Sequence, residues 1–377
     1  MIETKEFYDY LISKDIDFFA GVPDSLLKDF CCCVERNAPE HANICTANEG
    51  NAIAIASGYH ISTNKYGLVY MQNSGIGNAV NPLVSLADQD VYKIPVLLLI
   101  GWRGEPGTKD EPQHQKQGEI TLSLLECIGV RYLILGQDYK EQIDVCHAYM
   151  QKNSRPIALI VKKGVFSEYQ REIKNTSFEL LREEVLEEIV HFIDKEDFVV
   201  STTGKTSREL YEIRNKDHET HGNDFLTVGS MGHTASLAFG ISLGTSQNIY
   251  CIDGDGSFLM HMGSLGAAAQ LAKSNFKYIM INNGAHESVG GAPTIGFQIN
   301  MKQILTGLGF HKVYESRNIQ ELKSNLKLLS SENNSAMIVY VKCGSRKDLG
   351  RPDLSPVENK QLFSEKIRSI SNEGFDI

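Results

Sequence analysis

The run Ile252-Asp253-Gly254-Asp255-Gly256-Ser257 decides how the chain is read, together with Ile281-Asn282-Asn283-Gly284, whose Asn283 follows Asp255 by 28 positions. The first stretch closes a strand-like apolar segment, Ile249–Asp253, and precedes a helical one, Phe258–Leu271. Glycines on both sides of Asp255 let the backbone turn tightly and approach a ligand closely. A helix N-terminus aimed at that turn favours a phosphate, and Asp255 is a hard oxygen ligand of the kind Mg2+ or Ca2+ takes. One helix and one strand fit between Asp255 and Asn283. Both residues therefore return to the same edge of a parallel sheet, where open α/β sheets bind their ligands. A Gly-Asp-Gly turn alone is weak evidence, because ordinary turns contain it. The turn, the helix, the strand and the Asn-Asn pair at this spacing form a specific signal.

The same alternation extends outward in both directions. Phe198–Ser201, Phe225–Val228, Tyr278–Asn282 and Met337–Val341 read as further strands of the second half. Ile16–Gly21, Tyr66–Met71, Val96–Gly101, Val130–Leu135 and Pro156–Val161 read as strands of the first. Helical patterns fall between them near Leu26–Glu35, Glu49–Ser62, Ala79–Asp88 and Tyr139–Gln151, and Leu180–Ile193 is strongly amphipathic. Strand–helix alternation predicts parallel sheets with helices on both faces. The polar stretch Lys162–Phe178 reads as a linker. The fold expected is α/β, with two doubly wound parallel-sheet domains, 1–165 and 180–377, and no middle domain. The tail after Cys343 reads as a closing segment and a short terminal helix.

Composition narrows the function. The net charge of −10 comes without a basic block, which argues against nucleic acid as a partner. No apolar run approaches bilayer length, and the first residues lack the basic, apolar and small-residue pattern of a leader. The adjacent Cys31, Cys32 and Cys33, with no Cys-x-x-Cys pair, read as reduced thiols on a helix in a cytoplasmic protein. Two lookalikes fail. Gly204-Lys205-Thr206 lacks the earlier glycine of a phosphate loop, since position 199 is Val199. His218 and His221 lie in a polar stretch without a third ligand, and a solvated loop is expected there.

Glu49 opens an Ala-, Ile- and Gly-rich helical segment within Thr46-Ala47-Asn48-Glu49-Gly50-Asn51-Ala52. A carboxylate buried there is costly unless hydrogen-bonded or protonated. The plainer reading is a first-turn acid complementing the helix dipole. Beyond the Val96–Gly101 strand, Arg103, Lys109, His114 and Lys116 form a loop rich in donors, suited to an anion or merely to solvent.

On these residues the chain resembles the thiamine diphosphate-dependent decarboxylases. The resemblance implies that Asp255, Asn283 and the carbonyl of Ala285 hold Mg2+, and that Gly254, Gly256, Ser257 and Thr203 line the diphosphate end. It implies that Met231 props the bent cofactor beside Gly229, with Ser74 and Gly75 near its pyrimidine and Glu49 activating that ring. Asp24 and His114 fall where relatives handle protons. Ala20-Gly21-Val22-Pro23-Asp24-Ser25, Gly101-Trp102-Arg103-Gly104-Glu105-Pro106-Gly107-Thr108-Lys109-Asp110-Glu111-Pro112-Gln113-His114 and Asn283-Gly284-Ala285-His286-Glu287-Ser288 resemble two-domain members that act on a 2-oxo acid bearing a phosphonate. Arg103, Lys109, Lys116 and His286 are the implied substrate contacts. A sulfonate analogue is the alternative substrate; a carboligase and a silent subunit are the alternative roles. The resemblance also implies a homodimer or larger homo-oligomer with sites between subunits.

Overall fold

The computed structural model describes residues 1–171, 176–345 and 348–373. Two compact units divide the chain, Met1–Ile173 and Lys174–Ile377. The first holds β1 (Ile16–Gly21), β2 (Asn43–Cys45), β3 (Tyr66–Gln72), β4 (Val96–Gly101), β5 (Arg131–Ile134) and β6 (Ile157–Val161). All pair in parallel, in the order β2-β1-β3-β4-β6-β5. The second unit holds β7 (Phe198–Ser201), β8 (Asp224–Leu226), β9 (Ile249–Gly254) and β10 (Phe276–Asn282). A small hairpin follows, β11 (Ala285–His286) with β12 (Ala292–Pro293), and then β13 (Lys312–Ser316) and β14 (Ser335–Tyr340).

The large sheet of the second unit runs β13-β14-β10-β9-β7-β8, also all parallel. Read from β8, and leaving the hairpin aside, its strands come second, first, third, fourth, sixth, fifth, which repeats the order of the first sheet. Each sheet thus has one switch point, between β1 and β3 and between β7 and β9. There the connections leave in opposite directions and open a crevice at the carboxyl ends of the strands.

Helices cover both faces of each sheet, so successive strand residues are buried alternately on opposite sides. In β4, Leu97 and Leu99 join one cluster with Phe7, Phe19 and Phe30, while Val96, Leu98 and Ile100 join another with Ile53, Ile76 and Leu83. Burial of such a side chain contributes about 1.5–3 kcal/mol. The second sheet is treated likewise, with Ile252 and Ile281 on one face and Cys251 and Met280 on the other.

Several expectations are corrected. The helix after β9 is two helices, Asp255–Met260 and Ser264–Leu271, with Asp255 itself the first helical residue. Residues 112–116 are not loop: a helix spans Pro112–Cys127, with Pro112 at its first turn, where a missing N–H costs nothing. The stretch taken as linker packs back on the first unit through residue 171. Ser167 N–H donates to Ile2 O at 2.9 Å, Tyr169 N–H to Asp29 Oδ1 at 3.1 Å, and Arg171 pairs with Glu35. The terminal helix is long, Pro356–Glu373, and braces the edge strand β8. Asn359 Oδ1 accepts from Leu226 N–H, and its Nδ2 donates to Asp224 O. His218 and His221 lie in a loop as expected, His218 exposed and His221 partly covered, its ring stacked on Tyr211 with centroids 4.1 Å apart.

Candidate active site

The residues singled out from the sequence gather at the carboxyl ends of the strands, in both units. In the first unit, β1 leads to Asp24, β2 to Glu49, β3 to Ser74 and Gly75, and β4 to Arg103. Glu49 is the first residue of the helix Glu49–Thr63 and is 4% exposed. Asn48 caps that helix, accepting from Asn51 N–H at 3.0 Å. Burial pushes the Glu49 carboxyl above its usual range, opposed by a hydrogen bond to Oε2 from Asn78 Nδ2 at 2.8 Å. Gly75 lies directly against it, where a Cβ would stand 2.3 Å from Glu49 Oε1. Ser74 Oγ accepts from Gln72 Nε2 at 2.7 Å.

Asp24 is fully buried. Its Oδ2 accepts from Leu26 N–H at 2.9 Å, and its Oδ1 has no partner. Burial pushes its pKa up to about 6, against the pull of Leu26 N–H and of Arg103. Gly101 is needed beside it, because a Cβ there would sit 2.1 Å from Asp24 Oδ2. Arg103 follows Gly101 and is already engaged. Its Nε donates to Asp110 Oδ2 at 2.8 Å, its Nη2 to Asp110 Oδ1, and its Nη1 to Ser25 Oγ at 2.7 Å.

His114, buried in the first turns of the helix Pro112–Cys127, places Nδ1 2.9 Å from the same Asp110 Oδ1. Burial lowers the His114 pKa, with Asp110 working the other way. The charge-rich loop expected from the sequence is therefore largely balanced. Arg103 is paired with Asp110, Lys116 is exposed and paired with Glu119 at 3.1 Å, and Lys109 is exposed. Asp110 was missed in the sequence. Its signal was its position four residues before His114 at a helix start, where the two side chains meet.

In the second unit, β9 delivers Asp255, 2% exposed. Its Oδ1 accepts from Asn283 N–H at 3.3 Å and its Oδ2 from the Thr294 hydroxyl. Burial raises its pKa to about 6, and hydrogen bonds from Thr294 and the Asn283 N–H oppose this. Asn283 Oδ1 accepts from Ala285 N–H at 3.1 Å while its Nδ2 donates to Glu287 Oε2 at 3.1 Å. Glu287 in turn accepts from Arg182 Nη1 and Lys205 Nζ. Thr294 and Glu287 were not foreseen, since nothing in their spacing marks them.

Ser257 Oγ accepts from Gly232 N–H at 3.1 Å and ties the β9 turn to the Gly229–Gly232 turn after β8. In that turn Ser230 and Gly232 have φ of 51° and 88°, with Met231 between them. A Cβ on Gly256 would lie 2.8 Å from His286 Cε1 and 3.3 Å from Met231 Cε, so these side chains converge where only glycine fits. Thr203 precedes Gly204, whose φ is 97° and whose Cβ would stand 2.6 Å from Ser288 Oγ. Thr227 Oγ1, just after β8, is buried without a partner.

These features suit a bound diphosphate cofactor. Asp255 is a buried carboxylate at the carboxyl end of β9, and Gly254, Gly256 and Gly204 keep the crevice at the β7–β9 switch point clear of side chains. Among the described residues no three His, Cys, Asp or Glu side chains group to hold a metal alone. A cation at Asp255 and Asn283 would need further oxygen ligands, and a diphosphate carries them.

Two parallel-sheet units, the first presenting a buried glutamate and the second a buried aspartate at a glycine turn, carry these candidate residues, and the chain belongs to the thiamine pyrophosphate enzyme family. The N-terminal TPP binding domain of that family matches residues 4–125 and the C-terminal one residues 202–340. Within the family the chain is a homologue of phosphonopyruvate decarboxylase. It is 30% identical to that of Streptomyces hygroscopicus over 97% of this chain and 94% of the relative. It is 29% identical to that of Streptomyces viridochromogenes over 96% and 94%. The sulfopyruvate decarboxylase of Methanosarcina acetivorans is 26% identical over 93% and 94%. Among the described residues no helix is long and apolar enough to cross a membrane.

Proposed function

We propose that the chain decarboxylates 3-phosphonopyruvate to 2-phosphonoacetaldehyde and CO2, with thiamine diphosphate and Mg2+, as at least a homodimer. The observation that carries this reading is the buried Glu49 carboxylate at the head of an apolar helix, in a chain that also builds the Asp255–Asn283 turn. A carboxylate kept this dry needs a partner with matching hydrogen bonds, and an aminopyrimidine offers one.

When bound, the cofactor supplies the electron sink that decarboxylation of a 2-oxo acid requires. Asp255, Asn283 and the Ala285 carbonyl would hold Mg2+, and Gly254, Gly256, Ser257 and Thr203 would face the diphosphate. Met231 would support the middle of the cofactor, with Gly229 beside its ring. Ser74 and Gly75 would frame the pyrimidine, where Glu49 exchanges the activating proton. Asp24 and His114 handle the proton delivered to carbon after CO2 departs. Arg103 and His286, with Lys109 and Lys116 farther out, are the candidate contacts for the substrate anions.

The choice of phosphonate rests on the relatives named phosphonopyruvate decarboxylase, not on charge. With Arg103 balanced by Asp110, the site is less cationic than the sequence implied, and this pairing favours keeping sulfopyruvate as the second reading. Phosphorus NMR of the reaction mixture tests the proposal. Phosphonopyruvate should convert to a single new phosphonate resonance with equimolar CO2, and only when both cofactor and Mg2+ are supplied. Absence of conversion under those conditions would overturn it.

A further inference from the structure

We infer that Asp110 is a positioning residue that sets both the tautomer of His114 and the orientation of Arg103. The inference rests on the decarboxylase reading above and names a residue that reading does not use.

One carboxylate accepts five hydrogen bonds. Oδ2 takes Arg103 Nε and Gly104 N–H, both at 2.8 Å. Oδ1 takes Arg103 Nη2, Glu111 N–H at 2.8 Å and His114 Nδ1 at 2.9 Å. Burial pushes this acid up, but the hydrogen bonds from Arg103 and His114 outweigh it and hold the group well below the usual carboxylate range. It is therefore an acceptor at every working pH.

Two consequences follow. An ionised carboxylate can only accept, so His114 must carry its proton on Nδ1, and Nε2 becomes the nitrogen that exchanges protons with substrate. The bidentate clamp also holds the guanidinium in one plane. Nε is used, and of the terminal nitrogens one N–H each goes to Asp110 and Ser25, leaving one on each for an anion.

The backbone around Asp110 is built to keep this arrangement. Gly104 has φ of 69°, and a Cβ on it would stand 2.0 Å from His114 O; a Cβ on Gly118 would stand 1.6 Å from Gly104 O. Trp102 Nε1 donates to Gly118 O at 2.9 Å. The exit of β4 is thus seated on the helix that carries His114, and Asp110 links the side chains across that seam.

The test uses the full chain with histidine labelled with nitrogen-15, His114 being assigned by its absence from His114→Asn. Ring-nitrogen shifts of the substrate-free protein should show His114 with its proton on Nδ1. In Asp110→Asn the amide presents an NH2 where His114 or Arg103 needs an acceptor, and His114 should change to the Nε2–H form. The same variant should lower kcat for phosphonopyruvate by roughly 100- to 10,000-fold, since the imidazole is held in the wrong tautomer, and raise KM several-fold through Arg103. Asp110→Ala, which offers neither donor nor acceptor, should lose the Nδ1–H preference as well. An unchanged tautomer in both variants, or kcat and KM within twofold of wild type, would overturn the inference. A wild-type protein that turns over no phosphonopyruvate would refute the functional reading instead. The ring-nitrogen shifts would still decide whether Asp110 governs His114.

Discussion

At the scale of single residues the account depends on carboxylates held out of water. Glu49→Gln keeps shape and removes the proton-exchanging oxygen. It should lower the rate of CO2 release by roughly 1,000-fold or more, toward the upper part of the range for a lost acid–base group, because it also prevents activation of the cofactor. Calorimetric binding of thiamine diphosphate with Mg2+ should stay within a few-fold of wild type. Near-normal turnover would remove Glu49 from the mechanism.

Asp24 makes a separate prediction about pH. Burial pushes its folded pKa up to about 6, above the 3.8 of an ordinary aspartate. The folded state therefore binds this proton more tightly than the unfolded chain does. The associated stability is fully present below about pH 4 and is lost as pH rises through about 6. A shift of this size corresponds to about 3 kcal/mol. Asp24→Asn should thus be more stable than wild type by about 2–3 kcal/mol at pH 8, an advantage that fades toward pH 4 in chemical denaturation series. A constant difference across that range would show that Asp24 does not titrate as described.

At the scale of elements, what could be read from the sequence divides by position in the sheet. The central strands β1 and β4 were legible to the residue, because strands covered on both faces are continuous apolar runs. Of the edge strands, β5 and β8 were read with their ends displaced by one or two residues, and β2 and β13 were missed. β2 is three residues long, and β13, Lys-Val-Tyr-Glu-Ser from Lys312, carries the charge that edges use to avoid pairing with other chains. The helix Pro112–Cys127 was hidden because its first half is polar and it contains Gly118, a residue that ordinarily weakens a helix. The structure explains that glycine: Gly118 is where the β4 exit rests. Gly118→Ala should therefore push the Trp102–Gly104 segment away, costing about 3 kcal/mol of stability, the upper end for forced overpacking. Trp102 is the single tryptophan and is buried, so its emission reports the displacement directly. A red shift is expected; unchanged emission and stability would show that the seam tolerates a side chain.

The same division holds for the site. The placement of Asp255, Asn283 and Glu49 was legible because it follows from one helix and one strand, or from a polar residue opening an apolar helix. The contacts of Asp110, Thr294 and Glu287 with the candidate residues were not, because they depend on loops whose conformation no periodicity records.

At the scale of the whole molecule, each unit has its own parallel sheet, its own pair of apolar clusters and the same strand order. A unit with a complete core has what independent folding requires. Residues 1–171 and 176–377, expressed separately, should each give cooperative thermal unfolding by circular dichroism, while neither alone releases CO2. Failure of either piece to fold would show that its core is completed by the rest of the chain.

The central claim is the reaction itself, and the most direct test is CO2 release by the full chain with thiamine diphosphate and Mg2+. Phosphonopyruvate, sulfopyruvate and pyruvate should be offered side by side. The account predicts release from phosphonopyruvate at a kcat/KM at least tenfold above sulfopyruvate, and little from pyruvate. Preference for sulfopyruvate would keep the chemistry and reassign the substrate. No release from any of the three, with the cofactor demonstrably bound, would contradict the account.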